Sequence, residues 1–115
     1  MNKLIQERKK KEVFMYYNVL ELKDLVDNKE ELFEKLVLLE RGDSSLTAVA
    51  MRKHEVLDNH VSVCDACAIV FEGEAEFHFD AEKFTVKKGE LIMFKKEHEH
   101  KVLALKDCKF LLIKI

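Results

Sequence analysis

With no proline and only three glycines, this chain has very few residues that relieve a sharp backbone turn, so each glycine marks a corner. Gly42 lies in Arg41-Gly42-Asp43-Ser44-Ser45, Gly73 in Glu72-Gly73-Glu74 and Gly89 in Lys88-Gly89-Glu90. Around these corners run short segments rich in Val, Ile, Phe and Leu, at residues 46–52, 66–71, 75–79, 83–86, 90–94, 101–105 and 109–115. That spacing predicts consecutive strands of an all-β sandwich or barrel. Phe77 and Phe79 flank His78, and Phe84 and Val86 flank Thr85, which is the period-two alternation of half-buried strands. Residues 110–113, Phe-Leu-Leu-Ile, are apolar on both faces, as expected of a barrel wall that also meets a partner or an N-terminal segment.

The first forty residues read two ways. Residues 20–26 suit a short helical turn. Asn28 with Glu31 forms a possible capping box before Leu32, Phe33, Leu36 and Leu39, which would start a helix.

At 115 residues the chain is one domain with one core. Its 20 basic and 22 acidic residues leave a net charge of −2, so no global field recruits nucleic acid or anionic lipid. The basic cluster Arg8-Lys9-Lys10-Lys11 reads as a solvated tail. Neither a signal-peptide core nor an apolar run of membrane-spanning length is present, so the expectation is a cytoplasmic protein with no membrane partner. Three cysteines, an odd number, favour reduced thiols over a disulfide framework. Cys64 and Cys67 form a Cys-x-x-Cys, but it lies between a turn and a strand rather than at a helix N-terminus, so these residues and Cys108 read as buried free thiols. His78 reads as a surface residue opposite an apolar face and His54 as a turn residue. Neither a nucleophilic triad nor a phosphate-cradling glycine loop is found.

The remaining histidines fall into a pattern. His60, Glu72-Gly73-Glu74, Lys88-Gly89-Glu90 and His100 follow one another at spacings that resemble the two-motif core of a small cupin over about residues 26–115. In the first motif His54 stands at the opening glycine position, His60 at the first histidine, Ser62 at the second, Ala66 at the glutamate and Gly73 at the closing glycine. In the second, Gly89 and His100 fit, while Lys95 and Glu99 stand where prolines are common. The resemblance is greatest to small stand-alone cupins in which an Asp-Ala pair, here Asp65-Ala66, follows the first motif histidine.

The resemblance implies a double-stranded β-helix, or jelly-roll, barrel over residues 26–115 behind a short N-terminal extension at residues 1–25. It also implies a strand over residues 32–40, against the local helix signal. A family site of three imidazoles and a carboxylate would hold Zn, Mn, Fe or Ni, but two of those positions here are Ser62 and Ala66. His98, two residues before His100, is a candidate third imidazole, with a charged loop at the barrel mouth as its other reading. Two functions are therefore expected to compete. One is a small-molecule-binding barrel with a pocket at His60, Ser62, Ala66, His98 and His100, walled by Ala66, Ala68 and Val70. The other is a metal-dependent isomerase or oxygenase using His60, His98 and His100. The apolar excess at residues 110–113 and 32–39 predicts a homodimer.

Overall fold

The computed structural model describes residues 16–28 and 34–115, with the backbone alone at residues 59 and 60. Glu31, Leu32 and Phe33 of the suspected capping pattern, and the basic cluster at residues 8–11, lie outside the described residues. Among those described, the chain forms β1 (Glu34–Arg41), β2 (Ser44–Met51), β3 (Val56–His60), β4 (Ala66–Glu72), β5 (Glu74–Phe79), β6 (Glu82–Lys87), β7 (Leu91–Phe94), β8 (His100–Ala104) and β9 (Cys108–Lys114). They make two antiparallel sheets, β1-β2-β9-β4-β7 and β3-β8-β5-β6. Only the β1–β2 and β5–β6 connections stay within one sheet; the others cross between sheets, which gives the expected jelly roll.

Residues 34–41 are a strand, as the resemblance implied, and the helix signal is overridden there. Asn28 ties the incoming chain to two strands, its Nδ2 donating to the carbonyls of Met51 (2.8 Å) and Cys108 (3.0 Å). Residues 22–24 form one 3-10 turn, in keeping with the short helical turn expected at 20–26. Strand β3 had no counterpart in the apolar segmentation, because its Asp58-Asn59-His60 end carries no hydrophobic alternation.

The core lies between the sheets. Across the five-stranded sheet Val49, Phe110 and Val70 occupy one cross-strand row, and Phe77 of β5 meets Phe110 edge-on at 5.8 Å. Each such phenylalanine contributes roughly 1.5–3 kcal/mol by leaving water. The opposite, outer face of β1, β2 and β9 is apolar too, and Leu25 and Val26 of the N-terminal segment cover it at Leu36, Ala48 and Ala50. The buried Lys109 Nζ donates to the Lys23 carbonyl at 2.7 Å and so fastens the same segment. An N-terminal segment is thus one of the two covers expected over residues 110–113. Two readings need correction. Phe84 is 42% exposed, because β6 is an edge strand. Cys67 is half-buried on the outer face, while Cys64 and Cys108 are buried.

Cys108 yields a test of this packing. Burial first, then the nearby carboxylates of Asp107, Glu55 and Glu72, push its thiol up to about 12. The folded chain therefore holds the proton that the unfolded chain releases near pH 8.5, so this contribution to stability is complete below that pH and is lost as pH rises toward 12. Iodoacetamide at pH 8 should modify Cys67 well before Cys108, as read by peptide mass spectrometry. Equal labelling would mean that the core opens at Cys108.

Candidate functional site

In the four-stranded sheet the register places His60, His100, Phe79 and Glu82 in one row across β3, β8, β5 and β6. The two motif histidines are therefore cross-strand neighbours in the backbone, although 40 positions separate them in the sequence. His100 is only 4% exposed. Its ring lies 4.6 Å from that of Phe94 and 5.8 Å from that of Phe79, centroid to centroid. Its Nδ1 is 3.2 Å from the His98 carbonyl oxygen. A carbonyl oxygen only accepts, so Nδ1 carries the proton and, in the neutral ring, the acceptor lone pair sits on Nε2.

His98 does not stand beside His100 on an extended strand. It ends the turn that precedes β8, half-exposed, with Nε2 2.9 Å from Asp80 Oδ2 and its ring 5.3 Å from that of Phe79. The charged-loop reading describes its position. That turn is tethered: Glu97 N–H donates to the Ser62 carbonyl at 2.7 Å, and Lys96 N–H donates to Asp65 Oδ1 at 2.9 Å. Ser62 Oγ in turn accepts from Cys64 N–H at 3.1 Å. Two non-glycine residues here, Asp80 (φ 50°) and Glu97 (φ 62°), hold left-handed backbone. Such conformations cost on the order of 1 kcal/mol each, and they persist only where surrounding contacts impose them.

Ala66 is buried, and Ala68 and Val70 are fully buried in the core cluster with Phe77 and Phe110. Ala68 and Val70 pack with those phenylalanines and wall no cavity, whereas Ala66 lines an open groove of about 420 Å³ with Asp65, Cys67, Met93 and Ile113. A cleft of about 380 Å³ opens on the seam between the edge strands β6 and β7, lined by Phe79, Glu82, Phe84, Ile92, Met93, Phe94, Lys95 and His98. Of the expected pocket residues, His98 lines it, and His100 lies behind Phe79 and Phe94. Sequence reasoning missed Phe79, Asp80, Phe94 and Lys95. Asp80 carried a signal, since Asp followed by a small residue between two alternating segments marks a tight hairpin turn.

The family's metal does not fit the described donors well. Ala66 has none to offer, Ser62 Oγ already accepts a backbone hydrogen bond, and His98 Nε2 is engaged by Asp80. Among the described residues no three His, Cys, Asp or Glu side chains converge as a metal site. Nor is any helix among them long and apolar enough to cross a membrane.

No family model matches this chain, and no curated protein matches it. Solved structures do. A conserved protein of unknown function from Streptococcus pyogenes superposes with a TM-score of 0.82 at 25% identity, over 87% of this chain and 88% of that one. A cupin superfamily protein from Desulfitobacterium hafniense gives 0.80 at 18% identity, over 86% and 91%. A cupin 2 conserved barrel domain protein from Leptotrichia buccalis gives 0.78 at 28% identity, over 84% of this chain and 47% of that longer one.

Proposed function

Since the chain is a small cupin-fold domain, we propose that it works as a small-molecule-binding barrel, taking its ligand at the β6–β7 seam. The observation that carries this reading is the cleft itself. Three phenylalanines, Phe79, Phe84 and Phe94, supply apolar faces, Lys95 and His98 supply cationic or hydrogen-bonding groups, and Glu82, exposed at the start of β6, adds one carboxylate. A site of mostly aromatic walls with few polar groups is the usual form of a small-ligand pocket. Its chemistry suits a flat molecule with an anionic end, such as an aromatic or unsaturated carboxylate. The ring lies on Phe79 and Phe94, and the carboxylate meets Lys95 and His98. Asp80 orients the His98 imidazole, and His100 provides a hydrogen-bonding group for a ligand that reaches deeper. Three free cysteines among the described residues suit a reducing compartment, and we place the protein in the cytoplasm.

The degenerate motif supports binding over metal chemistry, because the second histidine and the glutamate of the family site are replaced by Ser62 and Ala66. Benzoate is a suitable probe. A fragment of that size reaches a Kd of about 1 mM, worth about 4.1 kcal/mol, when well seated. In a titration followed by amide chemical shifts, benzoate should move resonances from residues 79–84 and 92–98 and spare those of β1 and β2. Lys95→Ala should weaken binding several-fold with an unchanged melting temperature. No saturable shift at 20 mM benzoate would reject this site. A stoichiometric transition metal surviving dialysis, and lost in His60→Ala with His100→Ala, would favour the metal-dependent isomerase or oxygenase instead.

A further inference from the structure

We infer that the ligand is a short linear peptide with free termini and an aromatic C-terminal residue, lying along the β6–β7 seam. This rests on the seam cleft as the binding site and extends it by a second subsite. The cleft does not end at Phe84 and Ile92. Those two residues also line a second cleft of about 410 Å³, together with Thr85, Val86, Glu90 and Leu91, so the two clefts lie end to end along the seam. A single aromatic acid occupies one of them, and a longer ligand takes both.

Backbone and charge both select a peptide. Strands β6 and β7 are the edges of their sheets, so alternate N–H and C=O groups of each turn toward the seam instead of a neighbouring strand. An extended peptide carries the same groups at the same spacing and pairs with such an edge, which a plain aromatic acid does not do. The two ends of the seam are oppositely charged. Lys95 and His98 stand at one end and Glu90 at the other. Glu90 is a fixed carboxylate: its N–H donates to the Lys87 carbonyl and its Oε1 accepts from Lys87 N–H, both at 2.8 Å. Its Oε2 has the lone pairs to accept an ammonium group. Glu90 and Lys95 bracket β7 and are about 17 Å apart at about 3.4 Å per extended residue. A tetrapeptide spans about 14 Å on the same rise, and the reach of the lysine side chain closes the difference. Side chains two residues apart point the same way, so the fourth residue lays its ring on Phe79 and Phe94 while an apolar second residue meets Val86 and Leu91. Glu82, on the β6 side, accepts from the last peptide N–H.

Amide chemical shifts of the full chain, titrated with the tetrapeptide Ala-Val-Ala-Phe, with its N-acetyl form and with benzoate, test this. The free peptide should bind at least tenfold tighter than benzoate, and should move resonances of residues 85–86 and 90–91 in addition to those near Phe79 and His98. Acetylating its amine should weaken it at least fivefold. Glu90→Gln keeps the oxygen that Lys87 N–H needs, and so keeps the corner. It should weaken the free peptide to the same degree as acetylation while leaving the acetylated peptide and benzoate unchanged. If benzoate binds but the free peptide binds no tighter, or leaves residues 85–86 and 90–91 unmoved, the inference is overturned and the cleft stands as a site for a compact aromatic acid. A free peptide indifferent to both acetylation and Glu90→Gln also overturns it. If neither benzoate nor peptide binds, the seam is not a ligand site and both readings fall.

Discussion

Alanine in place of Gly73 is expected to lower the unfolding free energy by about 4 kcal/mol or more, with a melting temperature depressed by roughly 15 °C or more. Two costs add. The backbone there has φ +73°, where any Cβ is strained by about 1–2 kcal/mol. A Cβ at Gly73 would also lie 2.0 Å from the Asp107 carbonyl oxygen and 2.9 Å from Cys108 Cα, so the β8–β9 turn would have to move away from the corner between β4 and β5. Gly42 and Gly89 serve as controls. Their φ values are +58° and +88°, yet nothing lies within 4 Å of a built Cβ, so Gly42→Ala and Gly89→Ala should cost only the backbone strain. Urea denaturation of the three variants separates the terms. If all three lose the same stability, the close approach at Asp107 does not exist in solution.

Phe79→Ala should cost about 3–5 kcal/mol, the range for removing a large buried aromatic side chain. The ring touches those of Phe84 (6.0 Å), Phe94 (5.2 Å), His98 (5.3 Å) and His100 (5.8 Å), so it joins the core to the barrel mouth. Its loss leaves a cavity between the seam cleft and the buried His100. It also removes the surface on which an aromatic ligand would lie, so benzoate binding should weaken together with stability. Phe84→Ala, at a half-exposed edge position, should cost far less stability while still weakening benzoate. If calorimetry finds the two variants equally stable, Phe79 is not the partition that its contacts imply.

Local chemistry alone specifies the alternation in β5, the corners at Gly42, Gly73 and Gly89, and the membership of His60 and His100 in one motif pattern. Side chains on a strand alternate whatever the strand pairs with, and glycine tolerates positive φ wherever it sits. Three matters needed the folded chain. Residues 34–41 follow a helical pattern of leucines, and only pairing with β2 makes them a strand, because long-range hydrogen bonds outweigh propensities worth tenths of a kcal/mol per residue. Whether the space beside Ser62 and Ala66 is pocket or core could not be assigned until Phe77, Phe79, Phe94 and Phe110, drawn from the three strands β5, β7 and β9, were seen to pack in the interior and a cleft to open at the β6–β7 seam. The environment of Gly73 likewise depended on Asp107, distant in sequence and close in space. Its φ was legible from the residue type, but the crowding that makes it irreplaceable arises only when two corners of the barrel meet.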